Sequence, residues 1–350
     1  ALTNPALLAA TSPVDDGTLG WRRLADAVDA NAYHDLIDDS TDACFQRLVE
    51  NTSCCLDREM APGVQGRPVE RDATAWKCDP ALCWDWVLGQ RGADMLWTPR
   101  GATCESPKVL YIHGGGFYYG SPQSYGYPQF ASKLAAQIGA IVLVPDYPLV
   151  PIGNHSTALA AVRQALAWLA RYGDGCSTGS APLFVAGDSA GGGLALSLVL
   201  DLAANPSDND PKLSGAVLLS PWTNMRCDTP DYYFNAFRTI DAASGANITD
   251  APPASVGDII FQDPPLAARK SCRENAAEIL GDPKLAADPI ASPMFAGRAN
   301  FAEGGIPPLL FVVGGAEVIL GESVVPARKA AWYGVDVTLD VFPGMWHVFP

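Results

Sequence analysis

Residues 187–191 read Gly187-Asp188-Ser189-Ala190-Gly191, with Gly192 and Gly193 following, so one serine hydroxyl stands among small neighbours. The motif follows an apolar run at 183–186 and precedes a helix-forming stretch at 190–204, which puts Ser189 at a strand-to-helix turn. Such a turn strains its central residue, and only small flanking residues let it close while Oγ projects at the helix N-terminus. Ser189 is therefore expected to be a nucleophile rather than a plain helix cap. Attack on an acyl carbon creates an oxyanion, which backbone N–H groups must stabilise. His113-Gly114-Gly115-Gly116 closes a second apolar run, 109–112, and its glycines let bare backbone approach. The N–H groups of Gly114, Gly115 and Ala190 are the expected donors, with Gly116 close behind, and His113 is expected to orient the loop by hydrogen bonding.

A serine nucleophile needs a base, and in this strand-turn-helix arrangement base and acid follow the serine in the chain. Of four histidines, His34 and His113 precede Ser189 and His155 falls in a loop. His347, just past the final apolar run at 337–342, remains as the base. The acid should sit after the penultimate strand, in Gly314-Gly315-Ala316-Glu317-Val318-Ile319-Leu320-Gly321-Glu322. Glu317 is the nearer candidate and Glu322 the second. Either carboxylate would fix the imidazole tautomer and stabilise the imidazolium.

The elements that must carry these groups alternate regularly. Apolar runs at 95–97, 109–112, 141–144, 183–186, 217–219, 309–313 and 337–342 predict strands, with another at 83–88. Amphipathic stretches at 129–138, 157–172, 190–204 and 323–333 predict helices between them. Near-continuous hydrophobic strands alternating with helices imply an α/β protein with a mostly parallel central sheet covered on both faces. Residues 1–75 carry helix-like runs at 21–32 and 42–49 and read as a cysteine-containing helical cap segment. The catalytic domain would span 76–350, with a polar, aromatic and Pro-rich cap insertion at about 224–290 that contains no expected sheet strand.

Composition bounds the partners. The 350 residues are 48% hydrophobic and 17% charged, with a net charge of −15, which suits a packed globular protein and argues against polyanionic partners such as nucleic acid. No run approaches the ~18–20 apolar residues of a membrane helix, so no transmembrane segment is expected. Of nine cysteines, Cys44, Cys54, Cys55, Cys78, Cys83 and Cys104 crowd together, while Cys176, Cys227 and Cys272 are scattered. Local disulfides are the leading reading, with reduced thiols or a zinc site as rivals. Sequons at Asn51, Asn154 and Asn247 add weight to a secretory, luminal or extracellular location, with a soluble cytoplasmic one as the alternative. The start at Ala1 is expected to be a processing or trimming point.

Together these residues resemble the hormone-sensitive-lipase-like branch of the α/β-hydrolases, which includes microbial esterases and plant carboxylesterases, over about residues 85–349. The resemblance rests on His-Gly-Gly-Gly-Phe at 113–117, Gly-Asp-Ser-Ala-Gly-Gly at 187–192, Ser-Pro-Trp at 220–222 and Asp-Pro-x-x-Ser-Pro at 288–293, in that order. It implies an α/β-hydrolase fold, a triad of Ser189, Glu317 and His347, an oxyanion hole of Gly114, Gly115 and Ala190, and a substrate pocket lined by Tyr118, Tyr119 and Asp188. It implies no metal and no organic cofactor. Three departures stand out. Tyr147-Pro148-Leu149-Val150-Pro151-Ile152 lacks the branch's Arg and Glu, the acid is Glu rather than Asp, and a terminal helix after the histidine is missing. Either the chain has been trimmed or the N-terminal segment replaces that helix. The expected activity is that of a serine carboxylester hydrolase (EC 3.1.1). Aromatic candidates for its cap, Trp21, Tyr118, Tyr119, Tyr232, Tyr233 and Phe234, suggest short-to-medium acyl or aromatic esters as small-molecule substrates. Rival readings stay open: amide or formamide hydrolysis, acyl transfer, or an idle hydrolase fold that binds a ligand or assembles. Dimerisation or docking through the N-terminal cysteine segment is a further expectation.

Overall fold

The computed structural model describes residues 61–69, 93–123, 126–171, 181–208, 210–235, 238–239, 255–258, 267–302 and 305–349. In chain order the elements begin with β1 (Val64–Val69), β2 (Asp94–Pro99), β3 (Lys108–Ile112), α1 (Tyr127–Ile138), β4 (Ile141–Val144) and α2 (His155–Arg171). There follow β5 (Leu183–Asp188), α3 (Ser189–Ala204), β6 (Gly215–Leu219) and the single turn α4 (Asp231–Phe234). Then come β7 (Arg238–Thr239), β8 (Ser255–Val256), α5 (Ala267–Leu280), α6 (Arg298–Phe301), β9 (Leu309–Gly314), α7 (Leu320–Trp332) and β10 (Val337–Phe342).

Eight strands form one sheet in the order β1-β2-β4-β3-β5-β6-β9-β10, antiparallel at the β1 and β2 end and parallel from β4 onward. β3, β4, β5, β6 and β9 are buried along their whole length, as strands covered on both faces must be. Alternation sends Leu183 and Val185 to one face and Phe184 and Ala186 to the other. The first face is covered by α2, α3 and α7, the second by α1 and by Phe349 packed on Phe342. With parallel strands, the loops that follow β3, β5, β6, β9 and β10 all open at one edge of the sheet, where the chemistry-bearing residues lie.

The alternating pattern of strands and helices agrees with the sequence reading, with three corrections. Residues 64–69, assigned to the helical cap segment, form the edge strand β1, whose six residues lie in antiparallel register with β2 from Val64 opposite Pro99 to Val69 opposite Asp94. The insertion between β6 and β9 holds a two-stranded antiparallel ribbon of β7 and β8, separate from the main sheet, besides α4 and α5. His155 is no loop residue: it opens α2 and is buried, with Nε2 at 3.2 Å from Ser197 Oγ on α3. The expected helices at 21–32 and 42–49, the strand at 83–88 and the crowded cysteines other than Cys104 lie outside the described residues. Cys104 is disulfide-bonded. A further disulfide joins two of the scattered cysteines, Cys227 after β6 and Cys272 on α5. Where the turn at 147–152 lacks the branch's Arg and Glu, Tyr147 donates its hydroxyl to the His113 carbonyl at 2.8 Å, and Val150 N–H donates to Phe117 C=O.

Candidate active site

Ser189 sits at the junction of β5 and α3 with φ 53°, a left-handed conformation that a non-glycine residue adopts only under constraint. The constraint is packing. A Cβ on Gly191 would lie 2.1 Å from the Ile112 carbonyl oxygen, and one on Gly193 would lie 2.0 Å from that of Trp222. Only bare backbone lets the first turn of α3 press against the end of β3 and the loop after β6, leaving Ser189 half-buried at the edge of the sheet.

His347 Nε2 lies 2.9 Å from Ser189 Oγ, and His347 Nδ1 lies 3.1 Å from Glu317 Oε2. Glu317 occupies the loop after β9 and His347 the loop after β10, and both are buried. The other oxygen of Glu317 accepts the Ser220 hydroxyl at 2.6 Å and the Gly314 N–H. Ser220, at the end of β6 with φ 45°, in turn accepts the Val348 N–H at 3.0 Å. Burial by itself lowers the His347 pKa, but the hydrogen bond and charge of Glu317, with the charges of Asp258 and Asp188, hold it above the ordinary histidine value. Burial raises the Glu317 carboxyl, opposed by the bonds and charge it receives from His347, Ser220 and Gly314. Chemically this arrangement can draw a proton from Ser189 and hold the resulting imidazolium against a buried carboxylate.

The glycine loop requires a correction. Gly114 is buried, and its N–H donates to Tyr127 Oη at 2.8 Å and to Asp188 Oδ1 at 3.2 Å, so it points away from the serine and is no oxyanion donor. Gly115 and Gly116 are half-buried, and their N–H groups and that of Ala190 have no hydrogen-bond acceptor among the described residues. His113 donates Nδ1–H to the Gly114 carbonyl at 2.8 Å and stacks on Tyr147, which holds the loop as expected. Asp188 also departs from its expected pocket position. Its buried carboxylate accepts the hydroxyls of Tyr111 and Tyr127, both at 2.9 Å, as well as the Gly114 N–H, so it organises the loop from beneath. Burial raises its pKa against those bonds.

Glu322, the second acid candidate, lies elsewhere. Its Oε2 accepts the N–H groups of Thr223 and Asn224, each at 3.0 Å, and its Oε1 meets Tyr232 Oη at 2.9 Å, which binds α7 to the loop after β6. Complete burial pushes its pKa up to about 8. Tyr232, expected among the cap aromatics, is therefore buried on Glu322, whereas Tyr119, Tyr233 and Phe234 are exposed. The Tyr118 hydroxyl donates to Glu278 of α5 at 2.7 Å and so ties the glycine loop to that helix. Trp21 lies outside the described residues. Among the described residues no group of three or more His, Cys, Asp or Glu side chains could hold a metal ion. No helix among them is long and apolar enough to cross a membrane.

Sequence reasoning missed several residues here. Ser220 was visible as part of Ser-Pro-Trp, though not as a partner of Glu317. Tyr111 looks like an ordinary apolar position of a strand, and Tyr127 falls ahead of the helix expected at 129–138. Asp258 and Asn235 belong to no motif, and nothing in their spacing to Glu317 or His347 marks them.

Residues 109–350 match a family described as alpha/beta hydrolase fold. The chain is 32% identical over 253 residues to an acetyl-hydrolase of Streptomyces hygroscopicus, covering 71% of this chain and 70% of that protein. It is 30% identical over 241 residues to the carboxylesterase/phospholipase LipF of Mycobacterium tuberculosis, covering 69% of this chain and 55% of the relative. Among solved structures, EstE5, in a structure titled EstE5-PMSF, superposes with a TM-score of 0.59 at 25% identity, covering 88% of this chain and 82% of that one.

Proposed function

The chain belongs to the α/β-hydrolase family, and from that premise we propose that this carboxylic ester hydrolase works through Ser189, His347 and Glu317 on short-to-medium acyl or aromatic esters. The observation that carries the reading is the unbroken relay from Ser189 Oγ through both imidazole nitrogens to a buried carboxylate. Ser189 Oγ attacks the ester carbonyl while His347 Nε2 takes its proton, and the imidazolium rests on Glu317. The oxyanion is met by the N–H groups of Gly115, Gly116 and Ala190, donors that have no acceptor among the described residues. His347 returns the proton to the departing alkoxide, leaving an acyl-Ser189. A water molecule, deprotonated by the same ring, then attacks that ester, and the acid and free serine are released.

The name of the Streptomyces relative supports a small acyl group, and the exposed Tyr119, in the turn that closes the glycine loop, supports an aromatic approach to the serine. The Cys227–Cys272 disulfide supports an oxidising compartment. The test is hydrolysis of p-nitrophenyl acetate and butyrate by the wild type beside Ser189→Ala, with fluorophosphonate labelling mapped by peptide analysis. Turnover by the wild type alone and a label on Ser189 are expected. Equal turnover by the variant, or a label elsewhere, would overturn the assignment.

A further inference from the structure

Asp258 lies just after β8, in the insertion between β6 and β9, and its side chain is wholly buried. Oδ2 accepts the Val318 N–H at 3.1 Å and Oδ1 accepts the His347 N–H at 3.2 Å. Val318 is the residue next to Glu317, so one carboxylate bridges the backbones of the acid loop and the base loop. Asn235, at the end of α4, works beside it. Its carbonyl accepts the Asp258 N–H at 2.9 Å, and its Nδ2 donates to the Glu317 carbonyl at 2.8 Å and, more weakly, to that of Gly315 at 3.4 Å. The Glu317–Val318 segment is thus gripped through a carbonyl by Asn235 and through an N–H by Asp258.

The choice of a carboxylate is informative. A buried charge costs free energy unless it is hydrogen-bonded, and as a stabilising device it competes poorly with apolar packing of the same volume. An amide could accept only one of the two converging N–H groups and would turn its NH2 toward the other. A carboxylate takes both and places a third negative charge near His347, beside those of Glu317 on the loop after β9 and Asp188 at the end of β5.

We propose that Asp258, supported by Asn235, is a positioning residue that sets the Glu317–His347 geometry and favours the imidazolium formed during turnover, an inference that rests on the serine-hydrolase reading. The insertion between β6 and β9 then acts on the chemistry through the two loops that carry Glu317 and His347.

Asp258→Asn and Asn235→Ala are compared with the wild type for kcat and KM on p-nitrophenyl butyrate, for the pH profile of kcat/KM, for the rate of fluorophosphonate labelling and for melting temperature. For Asp258→Asn the expected result is a fall in kcat of ~10–100-fold with KM within ~3-fold, matched by slower labelling of Ser189. The acid limb of its profile moves to lower pH, because a charge stabilising the imidazolium is gone. Asn235→Ala lowers kcat by about 10-fold and leaves the limb in place, since no charge is removed. Wild-type kcat and an unmoved limb in Asp258→Asn overturn the proposal, as does a lower melting temperature with both kinetic readouts unchanged. Should Asp258→Asn fail to fold, wild-type kcat in Asn235→Ala overturns it. An inactive wild type would instead defeat the esterase reading, and the labelling rates would still decide the role of Asp258.

Discussion

Glu322→Gln separates the two candidate acids and carries a calculable signature in stability. The Glu322 carboxyl titrates near 8 in the fold against an ordinary value of 4.5, because it is fully buried. Below pH 4.5 it is protonated whether the chain is folded or unfolded and contributes no pH dependence. Between pH 4.5 and 8 it ionises only in the unfolded chain, so the wild type loses ~1.4 kcal/mol of stability per pH unit from this group. The accumulated loss is about 3 kcal/mol at pH 7 and levels off above pH 8 at between about 4 and 5 kcal/mol. Glutamine resembles the protonated acid: its oxygen can accept from Thr223 and Asn224 while its NH2 donates to Tyr232 Oη, freeing that hydroxyl to donate to Cys272 Sγ, 3.1 Å away. Urea unfolding of both proteins from pH 4.5 to 8.5 should show the variant gaining on the wild type steadily to about pH 8. Its kcat/KM on p-nitrophenyl acetate should stay within ~3-fold, because Glu322 does not touch His347. A stability difference that does not vary with pH would show that Glu322 is ionised in the fold and refute the reasoning. A loss of kcat comparable to that of Glu317→Gln would refute the assignment of the acid.

Glu317→Gln should lower kcat ~10³–10⁴-fold with the protein folded, because an amide facing Nδ1 no longer fixes the productive tautomer; near-normal turnover would exclude Glu317. Since the base works unprotonated and its pKa is raised, wild-type kcat/KM should decline on the acid side with a midpoint above 6.5, and in Glu317→Gln any residual activity should show that midpoint lowered. Gly193→Ala would place a methyl 2.0 Å from the Trp222 carbonyl oxygen and should destabilise the protein by ~3 kcal/mol or prevent soluble expression; a wild-type melting curve would contradict the packing. Cys227→Ser opens a cross-link spanning 45 residues and should cost up to about 4 kcal/mol in urea unfolding, and reduction of the wild type should cost at least as much, since it also breaks the Cys104 disulfide.

Much of the fold and the relay was legible because it is local. Strands buried on both faces must be apolar throughout, so 109–112, 141–144, 183–186 and 309–313 stand out in one dimension. The elbow and the glycine loop depend on small residues at adjacent positions, which a sequence displays directly. The choice of His347 needed only chain order and the scarcity of histidine. β1 was misread because its side chains are mostly exposed, so no periodic apolar signal sets 64–69 apart from a helix or loop. Gly114 was misread for a different reason. Which N–H of a glycine run faces the serine depends on peptide orientation, and that is decided by Asp188 and Tyr127 underneath.

By itself, then, the sequence determined the class of fold and singled out Ser189 as the candidate nucleophile and His347 as the candidate base, since these follow from residue type, spacing and order along the chain. The tertiary structure decided which glutamate meets His347, turned Asp188 from the expected pocket to the underside of the glycine loop, and brought Ser220, Asn235 and Asp258 to the loops that carry Glu317 and His347. Those outcomes depend on contacts between residues 30 to 128 positions apart. Hydrogen bonds made across such separations leave no periodic trace in the chain, because their geometry exists only once the sheet has brought its loops to one edge.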